Sequence, residues 1–195
     1  LSNVLAEARS GELRIAATDL DVSLLCGCAA QVVEEGAVTL SAKKLYEIVR
    51  SLPDSDVNLK VEKDAWTRIR CERSEFRVAG LPSEDFPSLP DGRGGRTSGI
   101  KASILKSLIQ RTSFAITAED ARYYLAGALL LFDKNLVTMV ATDGHRLAWA
   151  QRTTEANAGE PLRALVPRKA ITEIARLMED VGPDEIVGFQ SGESH

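Results

Sequence analysis

The densest run of chemically capable side chains is Ala141-Thr142-Asp143-Gly144-His145-Arg146-Leu147-Ala148. Asp143 and His145 stand two residues apart, so a strand would put both on one face. There a carboxylate could orient a general base, or the pair could form half of a metal site, as in a metal- or His-dependent hydrolase. Nothing in the chain completes either arrangement: the only other histidine is His195, and no HExxH or comparable cluster occurs. The competing reading is a turn, with Gly144 at positive φ and Asp143 bonding nearby backbone. The missing partners favour this turn, and with it a structural or binding role.

A second candidate is Ala118-Glu119-Asp120-Ala121-Arg122-Tyr123-Tyr124-Leu125-Ala126-Gly127. On a strand Tyr123 and Tyr124 point to opposite faces, so at most one belongs to a core. The other, with Arg122, could contact phosphate or a base; one buried and one solvated tyrosine is the open alternative. No phosphate-cradling glycine loop, nucleophile elbow or metal cluster is present, so no cofactor is expected.

The elements that must position these residues repeat along the chain. Leu13-Arg14-Ile15-Ala16-Ala17-Thr18-Asp19-Leu20 returns as Leu136-Val137-Thr138-Met139-Val140-Ala141-Thr142-Asp143-Gly144, with Asp19 and Asp143 124 positions apart. After the first copy come a strand at Ala37-Val38-Thr39-Leu40 and a helix opened by Ser41-Ala42-Lys43-Lys44. After the second come Ala164-Leu165-Val166 and a helix opened by Pro167-Arg168-Lys169-Ala170. Ser41 suits an N-cap and Pro167 a first helical turn.

Leu45, Ile48, Val49 and Leu52 predict one apolar helix face, and Ile171, Ile174, Ala175 and Met178 another. Each helix meets a Pro-Asp turn and then a strand, Val57 to Val61 or Glu185 to Phe189. A further helix carries Ile104, Leu105, Leu108 and Ile109 inward, with Lys101, Lys106 and Arg111 on its polar side. Its first-domain counterpart would precede Leu1. Two α+β domains of one architecture follow, 1–90 with a connector from about residue 80, and 97–195. Pro82, Pro87 and Pro90 make the connector, which Phe86 and Leu89 pin to a domain surface.

Composition bounds the rest. A chain of 195 residues with 44% hydrophobic and 27% charged residues is globular in type. Its net charge of -4 neither supports nor excludes DNA, because local placement of Lys and Arg decides the field. No apolar run approaches the roughly 20 residues of a membrane span, and no signal segment opens the chain. Cys26, Cys28 and Cys71 fit neither zinc spacing nor a disulfide framework. Cys26 and Cys28 are expected on one strand face as small buried residues, and a reducing cytoplasm is inferred.

The runs Arg122-Tyr123-Tyr124-Leu125-x-Gly127 and Ala141 to Ala148 resemble those of the bacterial sliding clamp, the β subunit of DNA polymerase III. Ala17-Thr18-Asp19-Leu20, Leu81-Pro82-x-x-Asp85-Phe86-Pro87 and Val166-Pro167-Arg168-Lys169 extend the resemblance over nearly the whole chain. It implies a non-catalytic DNA polymerase processivity factor: a homodimeric ring of three similar domains per protomer. Antiparallel sheets would lie outside, with helices lining the inner face around duplex DNA held without regard to sequence. Arg122, Tyr123, Tyr124 and Lys169 would face the channel, with Arg168, Lys43, Lys44 and Lys106 as further contacts.

The resemblance also implies a hydrophobic groove for peptides of the polymerase catalytic subunit, the clamp loader and other replication and repair proteins. Its positions here are Leu125, Thr142, Gly144, His145, Arg146 and Leu147. The family's third domain has no counterpart in these residues. By the same comparison the first domain would lack its opening strand and helix and the second its last strands, so a fragment of this extent would not close a ring.

Overall fold

The computed structural model describes residues 2–89, 96–117, 125–154 and 161–191. They fall in two units, Leu1–Pro90 and Asp91–His195.

The first unit is built from alternating sequence. β1 (Asn3–Arg9), β2 (Glu12–Thr18), β3 (Ser23–Ala29) and β4 (Gly36–Ser41) lead into α1 (Ala42–Ser51), followed by β5 (Asn58–Val61), β6 (Trp66–Cys71) and β7 (Ser74–Leu81). All pairings are antiparallel, in the order β3-β2-β1-β4-β7-β6-β5. Period two sends Ala6, Val38, Leu40, Ile69 and Val78 inward. Leu45 and Ile48 of α1, and Leu52 at its C-cap, pack on that core only partly.

The second unit contains β8 (Arg96–Lys101), α2 (Ala102–Thr112), β9 (Gly127–Asp133), β10 (Leu136–Thr142), β11 (Leu147–Thr153), β12 (Leu162–Pro167), α3 (Arg168–Leu177) and β13 (Ile186–Ser191). Its four-stranded sheet runs β11-β10-β9-β12, the order that β3-β2-β1-β4 takes in the first unit, while β13 pairs with β8. The repeat read from sequence is thus a repeat of topology. Gly127 permits it locally, because a Cβ there would strike the carbonyl oxygen of Val166 on the paired strand.

The units differ in what covers the inner face. Leu105, Leu108 and Ile109 of α2 bury themselves with Leu130, Phe132, Val137 and Met139, and Ala148 and Ala150 of β11 are covered as well. The β3 residues, at the matching sheet edge, are all exposed. Cys26 and Cys28 are therefore exposed, against the sequence expectation, and only Cys71 is buried. Alternation chose their common face correctly, but no element among the described residues lies over it.

Other local expectations need adjustment. Val49 is half exposed, since α1 meets the sheet along a narrower strip than its apolar stripe. Ser41 occupies the N-cap of α1 without a side-chain capping bond, and Pro167 is itself the N-cap of α3. The connector begins later than residue 80, because Gly80 and Leu81 pair with Leu40 and Thr39. Phe86 is buried as expected. Among the described residues no helix is long and apolar enough to cross a membrane.

Removing a side chain from the covered and the uncovered helix should have unequal effects. Leu108→Ala, at a fully buried position, should cost about 2–5 kcal/mol. Val49→Ala should cost about 0.5 kcal/mol or less. Urea denaturation followed by circular dichroism measures both.

Candidate functional site

The ends of β10 and β11 are joined by a turn whose hydrogen bonds come from two adjacent side chains. Thr142 Oγ1 accepts from the Gly144 amide at 3.1 Å and donates to the Arg146 carbonyl at 2.7 Å. Asp143 Oδ1 accepts from the amides of His145 and Arg146, each at 3.0 Å. Gly144 adopts φ 88°, the left-handed conformation that glycine enters without a Cβ penalty. The Thr and Asp acceptors in this order close the chain reversal, and glycine eases the bend, which is why a Thr-Asp-Gly run directs it.

Arg146 extends the network outward. Its Nε lies 2.9 Å from Asp143 Oδ2, and its terminal nitrogen donates to the Phe114 carbonyl at 2.9 Å. The guanidinium carbon sits 5.5 Å from the centroid of the Phe114 ring. The amides of Arg146 and then His145, followed by the Arg146 side chain, hold the Asp143 carboxyl well below its usual range, at about 2.

The same geometry excludes the dyad considered from sequence. Both Asp143 oxygens are engaged by backbone amides and Arg146, and none of their bonds reaches the His145 imidazole. His145 is exposed. Among the described residues no group of three or more His, Cys, Asp or Glu could hold a metal ion. Among the described residues, a metal- or His-dependent hydrolase built on Asp143 and His145 thus finds neither an oriented base nor a ligand set.

Around the turn Leu125 is buried at 7% exposure while Leu147 stands 66% exposed. Thr142, Gly144, His145, Arg146 and Leu147 lie on the β10–β11 turn, where Gly144 to Leu147 are exposed, while Leu125 is buried. Phe114, 57% exposed, escaped sequence reading because it follows the apolar stripe of α2 in a single 3-10 turn, Ser113–Ala115. Trp149, 60% exposed and two residues beyond Leu147, was also missed. Strand alternation was the available signal, since it puts both residues on one face.

The candidate nucleic-acid contacts separate into seen and unseen. Arg168 and Lys169 are exposed in the first turn of α3, as are Lys43 and Lys44 in α1, and Lys106 is exposed on α2. Arg122, Tyr123 and Tyr124 lie outside the described residues.

Comparison with known proteins covers the whole chain. The family described as DNA polymerase III beta subunit, N-terminal domain, matches residues 1–90, and the central domain of the same subunit matches residues 99–193. The beta sliding clamp of Pseudomonas putida is 38% identical over 197 residues, covering 100% of this chain and 53% of its own length. The crystal structure of DNA polymerase III subunit beta from Pseudomonas aeruginosa superposes with a TM-score of 0.89 at 38% identity, over 99% of this chain and 52% of that one. A sliding clamp from the same organism, bound to griselimycin, gives 0.87 at 38% identity over 99% and 52%. The chain spans about half the length of these relatives.

The depressed Asp143 carboxyl contributes stability that is fully present above its ordinary value of 3.8 and is lost as pH falls through about 2. Carboxyl chemical shifts followed by NMR should give Asp143 a midpoint near 2. The Gly144–Arg146 amides should move over the same pH interval. A midpoint near 4 would mean that the turn is not held by this carboxylate in solution.

Proposed function

The chain belongs to the DNA polymerase III beta subunit family, and on that premise we propose that it is the two-domain portion of a cytoplasmic sliding clamp. In the complete protein two protomers of three domains would form a ring around duplex DNA. The ring would tether the polymerase III catalytic subunit and be opened by a clamp loader, and replication and repair proteins would share it. The role is non-catalytic: topology holds the DNA, and peptides hold the clients. What carries this reading is the match of two consecutive clamp domains, in order, over nearly all of the chain.

The helix starts support the DNA side. α1 opens with Lys43 and Lys44 and α3 with Arg168 and Lys169, and neither has an acidic residue in its first turn. This is the reverse of what a helix dipole favours, by about 0.3–1 kcal/mol per charge. Phosphates would supply the missing anion at both helix ends. Such contacts carry no sequence information, which suits a protein that must slide. Arg122, Tyr123 and Tyr124 join Lys169 and Arg168 as the proposed channel residues.

The turn supports the peptide side. Leu125, Thr142, Gly144, His145, Arg146 and Leu147 form the proposed groove, with a fixed backbone beneath an exposed leucine. Two apolar anchors buried there would contribute roughly 3–6 kcal/mol. Association costs at least about 4 kcal/mol, so binding is weak and exchangeable, as sharing among clients requires.

Griselimycin, bound by the P. aeruginosa relative, is a ready probe. Added to the isotopically labelled chain, it should shift the amides of Thr142 to Leu147, and Leu147→Asp should abolish the effect. Unmoved amides would remove the groove assignment. Separately, anisotropy of a labelled duplex should show binding that falls steeply with salt. Lys169→Glu should lower the log–log slope by about 1 or more. A slope unchanged by that reversal would take Lys169 off the DNA.

A further inference from the structure

Strand β11 alternates sharply. Ala148 and Ala150 are 6% and 5% exposed, whereas Leu147 and Trp149 on the other face are 66% and 60% exposed. The pairing register carries the Trp149 position straight across the sheet. Trp149 is opposite Val140, Val140 is opposite Leu129, and Leu129 is opposite Leu165. Val140 and Leu129 are half-buried, and Leu165 is 40% exposed. At strand spacings of about 4.8 Å this is an apolar row about 14 Å long. Scattered exposed hydrophobics are ordinary on a protein surface, but a continuous row is not.

The row has a neighbour on each side. Leu147, opposite Thr142, lies one row toward the turn, at the proposed peptide groove. One row the other way Thr138 faces Gln151 and Leu131, and Leu131 faces Arg163. Arg163 is exposed and has no ion pair among the described residues. From the turn outward the surface therefore offers an apolar anchor, an aromatic platform with an aliphatic row, and a cation.

We propose that this row continues the client site. Trp149 would receive an additional apolar side chain from a bound peptide, and Arg163, on the opposite edge strand of the sheet, would receive an acidic residue about five positions further along the extended peptide. The inference rests on the groove reading above and adds a selectivity for peptides that are apolar and acidic beyond their anchors. A short extended peptide fits better than a second copy of the chain. The row and Leu147 together offer on the order of a few hundred Å², well below the roughly 1,200 Å² of a stable protein interface.

The chain contains only two tryptophans, and Trp66 lies on β6 in the first unit, so its indole N–H is an internal reference. The test uses two synthetic decapeptides with the same Leu-Leu anchor pair, one with Phe directly after the anchors and Asp about five residues further on, the other with Ser at both positions. NMR titration at millimolar peptide follows the two indole signals and the Gly144–Leu147 amides. The peptide with Phe and Asp should bind about tenfold more tightly, moving Trp149 and leaving Trp66 still. Trp149→Ala should remove the share due to phenylalanine, Trp149→Phe should keep most of that share, and Arg163→Gln should remove the share due to aspartate. Equal affinities with the turn amides shifted and Trp149 unmoved would overturn the extension and leave the groove standing. If neither peptide moved the turn amides, the groove reading itself would fail, and the extension with it.

Discussion

The carboxylate of Asp143 gathers two backbone amides and a guanidinium onto one side chain, and the shape of the candidate site follows from that grip. An exposed loop of four residues would ordinarily sample several conformations. Here the Thr142 hydroxyl and the Asp143 carboxylate satisfy amides that would otherwise need water. The backbone is fixed before any partner arrives, so little ordering entropy remains to oppose a weak ligand.

The first unit contains the same device. Asp19 Oδ1 accepts from the amides of Asp21 and Val22 at 3.2 and 2.9 Å, and Thr18 Oγ1 accepts from Leu20 at 3.1 Å. The turn is therefore part of the repeated architecture, and what distinguishes the second copy is what surrounds it. Arg146 replaces Val22 at the matching position and reaches Phe114. The second copy keeps the backbone device and differs in the side chains that project from it.

Much of this was legible in sequence because it depends on short periods and on turn chemistry. The 124-residue offset located both copies of the Thr-Asp run, and the helical stripes located the three helices, with α2 and α3 correctly faced inward. The turn reading of Asp143-Gly144 followed from the left-handed preference of glycine and the acceptor geometry of aspartate. Burial was less accessible. Cys26 and Cys28 read as core residues because their strand face is apolar, and sequence pattern reports the face of a residue but not what covers it. Trp149 and Phe114 were passed over for the related reason that a large hydrophobic residue is assigned to the interior by default.

The two copies of the turn also differ in backbone strain. The position held by Gly144 in the second unit is held in the first by Leu20, at φ 81°. A left-handed conformation costs a branched L-residue about 1–2 kcal/mol, which the Thr18 and Asp19 hydrogen bonds must offset. The first copy thus works against its own residue type, while the second has a residue suited to the bend. Tolerance of change is lopsided as a result. Leu20 can pass to glycine or asparagine with relief, but Gly144 can pass to almost nothing without transferring that strain to the edge where a partner would dock.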